Sequence, residues 1–214
     1  MPRIREFPSI IPLDSHLSLF IGALLGDGFL GTRSDQVQIT GDAELDESYF
    51  RKVLAPICRQ YFSYDPSIKI SDTVIRLRVY SKQLKYFLHE EYEIPIGVKC
   101  YTVQIPSKIL RSNNKCKRAC LRGLFDTDGG VMFDRRKTYK KPYVRINYVS
   151  VSKLLVNQIS VILSEFNIVH GVSQRKNRSC WRIQINGEQN VKRFLNEVGF
   201  SNPRHLRKLN YLLC

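Results

Sequence analysis

The sequence predicts an α+β fold of two pseudo-symmetric halves, each running helix, two strands, helix, two strands, helix, with the four strands of each half in one antiparallel sheet. Three observations predict it. The segment Phe20–Gly28 recurs about a hundred residues later as Leu121–Gly129. Each copy is an apolar run with a small residue at one position and again four later, Gly22 and Gly26, then Gly123 and Thr127, followed by Asp-Gly. After each copy, alternating segments and segments of helical period follow in the same order. The stretch Tyr92 to Asn114, broken by Pro95, Pro106 and Ser112-Asn113-Asn114, joins the copies. It sets a first half at 1–94, a linker at 95–113 and a second half at 114–214.

Element by element, Asp14-Ser15 caps the first motif helix and Val37–Thr40 is a short alternating strand. A helix from about Leu45 to Tyr61 follows, then a hairpin of Ser67–Ser71 and Thr73–Tyr80, then a helix from Lys82 to Glu91. In the second half the motif helix runs to Asp128, with strands near Val131–Arg136 and Tyr143–Val149 and a helix from Lys153 to Asn167. Strands at Val169–Arg175 and Ser179–Asn186, a helix at Glu188–Val198 and a closing helix after Pro203 complete it.

Residues four apart share a helix face, so each motif offers a stripe poor in side chains on which another helix can lie close. Each helix is expected to stop at Gly28 or Gly129 through the left-handed glycine conformation. Asp27 and Asp128 then sit at the last turns of two packed helices, against the negative ends of their dipoles, at a cost of about 0.3–1 kcal/mol each. Two carboxylates about 4 Å apart repel by about 4 kcal/mol at an effective dielectric near 20. A hard divalent cation shared by both would turn repulsion into coordination, and oxygen-only ligands suit magnesium or calcium.

The formal charge of +15 and pI near 9.7 call for an anionic partner, a nucleic acid or an acidic membrane surface. No apolar run reaches the ~18–20 residues that span a bilayer, and Met1-Pro-Arg-Ile-Arg-Glu6 lacks the apolar core of a signal peptide, so an unexported intracellular protein is expected. The six cysteines form no CxxC pair, and the four histidines are scattered, which excludes structural zinc and Cys/His catalysis. Walker and Rossmann phosphate loops are absent.

Alternation assigns sheet faces. Tyr143, Arg145 and Asn147 point away from Val144, Ile146 and Tyr148, and Arg182, Gln184 and Asn186 form a second polar row. In the first half Arg76, Arg78 and Tyr80 share a face, as do Gln36, Gln38 and Thr40, with Lys69 on the neighbouring strand and Arg33 in the loop before. Arg, Gln and Asn pair bidentately with base edges, whereas Lys mainly meets phosphate. The run Arg135, Arg136, Lys137, Lys140 and Lys141 lies in a hairpin loop opposed only by Asp134, and Arg175, Lys176 and Arg178 crowd the tip of another. Such loops at the ends of polar sheets suggest a groove that tracks duplex DNA. Asp42, Glu44, Asp46 and Glu47 read as the acidic start of a helix.

Leu121–Gly129 at most positions, and Phe20–Gly28 in its small residues, Asp and Gly, resemble the motif of the LAGLIDADG homing endonucleases. The order of elements extends the resemblance over nearly the whole chain. It implies a monomer in which two sheets form a saddle over double-stranded DNA and the motif helices form the central interface. Asp27 and Asp128 would bind metal at the scissile phosphates, one strand each, with main-chain carbonyls from Gly26 and Thr127. Mg²⁺ is the implied cofactor, with Ca²⁺ able to occupy the sites without cleavage and Mn²⁺ able to substitute. Lys99 fits the family's catalytic lysine, and its second-half partner is open among Arg204, Arg207 and Lys208. Asp126 is assigned packing or capping. Where family members often carry a polar Gln after the second strand, this chain has Gly41 and Ser150 or Val151. Inteins carry the same motifs, but no His-Asn pair precedes the terminal Leu212-Leu213-Cys214, so a free-standing, intron-encoded enzyme is expected. The competing readings are an RNA maturase that binds intron RNA and a catalytically inactive DNA-binding regulator.

Overall fold

The computed structural model describes residues 7–134, 142–174 and 179–213. Its first half runs α1 (Ser15–Asp27), β1 (Gly28–Leu30), β2 (Gln36–Asp42), α2 (Glu47–Tyr49), a π-helical segment (Phe50–Leu54), α3 (Ala55–Phe62), β3 (Ser67–Ser71), β4 (Val74–Tyr80) and α4 (Lys82–Tyr92). The short helix α5 (Ser107–Leu110) lies in the joining stretch. The second half runs α6 (Asn114–Thr127), β5 (Gly129–Asp134), β6 (Tyr143–Ser150), α7 (Lys153–Glu165), β7 (Gly171–Gln174), β8 (Trp181–Asn186), α8 (Glu188–Glu197) and α9 (Pro203–Leu213). Two antiparallel sheets result, ordered β1-β2-β4-β3 and β5-β6-β8-β7.

The same physical cues start the helices of both halves. The Asp14 carboxylate accepts from the backbone N–H groups of His16 and Leu17, and the Asn113 side chain accepts from Cys116. Ser81 and Ser152 cap α4 and α7 in the same way. Registers repeat as well, with Gly28 opposite Ile39 and Gly129 opposite Tyr148. Val37, Ile39, Ile75 and Leu77 of one sheet, and Ile146, Tyr148, Ile183 and Ile185 of the other, are fully buried beneath the polar faces.

Two local expectations are corrected. The helix expected from Leu45 begins at Glu47 and carries a π-helical turn, in which the Ala55 N–H bonds five residues back to the Phe50 carbonyl. Pro56 explains it, since proline has no N–H and its ring displaces the carbonyl four residues before it, so the ladder widens by a residue. Neither motif glycine is left-handed: Gly28 is extended at φ −91°, and Gly129 is not among the positive-φ residues. Space is the reason for glycine here. A Cβ at Gly28 would lie 2.3 Å from the Leu24 carbonyl oxygen, and one at Gly129 would lie 2.4 Å from that of Phe125, because each chain folds from helix directly into strand.

Candidate metal centre and nucleic-acid interface

The site is built where α1 crosses α6. A Cβ at Gly22 would sit 2.1 Å from the carbonyl oxygen of Cys120, and one at Gly123 would sit 2.1 Å from that of Leu19, a reciprocal contact that only glycine permits. One turn on, Gly26 meets Thr127, whose Oγ1 would be 2.1 Å from an added Cβ. Thr127 spends its hydroxyl within its own helix, on the Gly123 and Leu124 carbonyls. This close crossing brings together the last residue of α1, Asp27, and the residue that ends α6, Asp128.

A cation lies on the carbonyls just before each carboxylate. Lys99 Nζ donates to the Leu25 carbonyl and, at 2.5 Å, to that of Gly26. Arg204, on α9, donates from Nη2 to the carbonyls of Asp126 (3.1 Å) and Thr127 (2.6 Å). These are the same two motif positions, so Arg204 is the second-half counterpart of Lys99. Arg204 is also anchored through Nη1 on Asp46 at 3.0 Å, and Asp46 accepts from the Asn202 side chain at 2.7 Å. Asp126 receives the backbone N–H groups of Ser201 and Asn202 at 2.9 Å each, which holds the start of α9 against the end of α6. Sequence reasoning gave Asp46 the role of a helix-start charge. It does stand at the N-cap of α2, and its buried carboxylate is also the partner of Arg204 and accepts the Asp42 N–H. A Cβ at Gly41, beside it, would come within 2.9 Å of the Asp46 carboxylate and 2.8 Å of the Phe50 ring, so a side chain there would have to displace both.

Asp128 is solvent-exposed yet ringed by protein, as befits a carboxylate in the wall of a cleft of about 440 Å³ that Gly26, Gly28, Lys99 and Ser150 also line. Burial and the neighbouring Asp27 raise its pKa to about 7, against the pull of Lys99 and Arg204. Burial raises Asp27 as well, opposed by Arg204 and Lys99. Burial lowers Lys99, opposed by the two carboxylates. The buried Tyr148 phenol stands beside Asp128 and is pushed up by burial and by both carboxylates. Two carboxylates brought together at the helix ends, Asp128 in the cleft wall, with main-chain carbonyls next to them, are the donor set a hard divalent cation takes. Among the described residues no cluster of three His, Cys, Asp or Glu side chains is present, so such an ion would complete its shell with carbonyl or non-protein oxygens.

A pH dependence follows. Asp128 is raised in the folded state from 3.8 to about 7, so the metal-free fold loses stability as pH climbs through that window, while an ion that needs the ionised carboxylate gains affinity. Calcium is expected to raise the melting temperature strongly above about pH 8 and hardly at all near pH 5. An equal gain at both, by calorimetric melting, would contradict this placement of Asp128.

The polar faces lie as alternation expected. Thr40, Arg76 and Lys69 form one row across three strands, and Gln38 pairs in register with Arg78. Gln36 donates to Gln38, Gln38 to Thr40 and Arg78 to Gln38 at 2.6–3.0 Å, which fixes this face before any ligand arrives. On the second sheet Asn147 faces Gln184, Arg145 faces Asn186, and Arg145 lies over the Tyr143 ring at 5.1 Å. A groove of about 460 Å³ runs past Arg145, Asn147, Arg182 and Gln184. Among the described residues Arg145 Nε, Asn147 Oδ1, Arg182 Nε and Asn186 Oδ1 are buried without a hydrogen-bond partner, which a bound polar ligand can supply. Tyr80 stands exposed at the end of β4, and Arg33 is exposed in the loop between β1 and β2. Arg135, Arg136, Lys137, Lys140, Lys141, Arg175, Lys176 and Arg178 lie outside the described residues.

Residues 115–199 match the family model of the LAGLIDADG-like domain. The fold is that of the homing endonuclease I-DmoI: its complex with DNA and Ca superposes with a TM-score of 0.65 at 19% identity, covering 94% of this chain and 100% of that one. Its complex with DNA and Mn gives 0.62 at 20% identity over 86% and 97%. Full-length DUF199/WhiA from Thermatoga maritima gives 0.57 at 14% identity over 96% and 62%. By sequence, the DNA-directed RNA polymerase subunit Rpo1C of Methanocaldococcus jannaschii is 27% identical over 98% of this chain, and a Replication factor C small subunit of that organism is 29% identical over 92%. The chain spans only 22% and 10% of those two proteins. Among the described residues no helix is long and apolar enough to cross a membrane.

Proposed function

We propose that this chain, with its two LAGLIDADG motifs and the I-DmoI fold, is a monomeric, site-specific endonuclease. It would make a staggered double-strand break in a long asymmetric DNA target by Mg²⁺-dependent phosphodiester hydrolysis, from a gene carried by an intron, inside the cell that holds its host genome. The observation that carries the reading is the pair Asp27 and Asp128 at the crossed helix ends, each flanked by a cation on the carbonyls before it. A bound Mg²⁺ would supply the Lewis acid that polarises the phosphate and acidifies the attacking water. Lys99 and Arg204 would meet the negative charge that builds on each phosphate, and the polar sheets would hold the duplex in register.

The curated relatives support a mobile element. Proteins named as an RNA polymerase subunit, a replication factor and the tRNA-splicing ligase RtcB share no named activity, yet each contains a segment like this chain. A module found inside unrelated hosts fits one that spreads by cutting the uninterrupted locus.

Incubation with Mg²⁺, a randomised duplex library and candidate host loci should yield one set of defined ends. Binding of one duplex without a divalent ion and without new ends would move the reading to a regulator, and preference for intron RNA would move it to a maturase. Lys99→Ala and Arg204→Ala should each slow cleavage by about 10²–10³-fold. Only Arg204→Ala should also cost about 3 kcal/mol in denaturant melts, because Asp46 is buried and would lose its counter-ion. Equal stability of the two variants would contradict that asymmetry.

A further inference from the structure

The two halves repeat each other's backbone but not the residue beneath the carboxylate. Gly129 pairs with Tyr148 in the second half, and at the same register Gly28 pairs with Ile39 in the first. Both side chains are fully buried. The Tyr148 ring packs on Phe125, three residues before Asp128, with ring centroids 5.2 Å apart. This places the hydroxyl near the end of α6, where Asp128 is the stronger of its two carboxylate neighbours, and among the described residues it has no hydrogen-bond partner in the metal-free structure. At the equivalent register of the first half stands the hydrocarbon of Ile39, which offers Asp27 no hydroxyl of its own half.

We propose that Tyr148 is a positioning residue: its hydroxyl donates to one oxygen of Asp128 and orients the other toward the metal, so that the two metal positions are inequivalent and the Asp128 position is the better preformed. The inference deepens the proposed nuclease reading and rests on its assignment of Asp27 and Asp128 as ligands. The physical reason is that a buried hydroxyl without an acceptor is costly, and the carboxylate is the acceptor within its reach. A carboxylate ligand held by an outer partner loses less side-chain freedom when an ion binds.

Tyr148→Phe keeps the ring against Phe125 and removes one oxygen, and Ile39→Val is the packing control in the other half. Calorimetric titration of the full chain with Mn²⁺ should show about tenfold weaker binding for Tyr148→Phe and no change for Ile39→Val. Metal-free melting gives a second readout. A hydroxyl that bonds Asp128 leaves the variant less stable, whereas an orphan hydroxyl leaves it equally or more stable. On cleavable DNA the variant should accumulate nicked duplex, with the intact strand always the one that Asp128→Asn also leaves intact. Unchanged Mn²⁺ affinity, or unchanged or raised metal-free stability, overturns the proposal. A wild-type chain that cuts nothing while Tyr148→Phe still weakens Mn²⁺ would sink the nuclease reading and leave Tyr148 in its role.

Discussion

Asp27→Asn and Asp128→Asn each abolish double-strand cleavage, with the rate of the affected strand reduced by about 10²–10³-fold or more, while duplex binding survives. The amide keeps the shape and one oxygen but loses the charge that a divalent ion requires. Protein damage is not an alternative account, because the same change relieves a strained carboxylate. Burial raises both aspartates, and Asp128 is raised further by Asp27. Each variant should therefore melt at or above the wild-type temperature at neutral pH without metal, and each should lose much of the stabilisation that Ca²⁺ gives wild type. Cleavage by either variant at the wild-type rate would remove the carboxylates from the chemistry. Lost cleavage with an equally large loss of stability would mean that they serve the fold instead.

Gly22→Val and Gly123→Val unfold or loosen the chain, at a cost of about 3 kcal/mol or more each. In both positions the added Cβ meets a backbone carbonyl oxygen of the other helix at 2.1 Å, and a backbone cannot swing aside as a side chain can. The helices would have to separate, and the two carboxylates at their ends would move with them. Gly130→Ala is the control, since a Cβ there meets nothing within 4 Å and the residue is already extended. It should be neutral or slightly stabilising, because alanine has less freedom to lose on folding. Denaturant melts of the three variants decide this, and a Gly22→Val protein as stable as wild type would show that the crossing is not the structural centre.

What the sequence determined was the periodic part. The duplicated motif, the apolar and polar alternation of β2, β4, β6 and β8, and the Asp14 cap are local patterns with a short-range physical cause, and each lies where the pattern put it. Tertiary structure decided what depends on distance between remote residues. That Arg204, rather than Arg207 or Lys208, mirrors Lys99 follows from the docking of α9 through Asp126 and Asp46, contacts across 75 to 158 positions. The role of Gly28 and Gly129 was misread for the same reason, since glycine at a helix end locally signals a left-handed turn, while the sharp passage from helix to strand demands the absence of a Cβ. Tyr148 looked like one more core residue of an alternating strand. Only the register that sets it opposite Gly129, against Ile39 in the other half, brings its hydroxyl to a carboxylate.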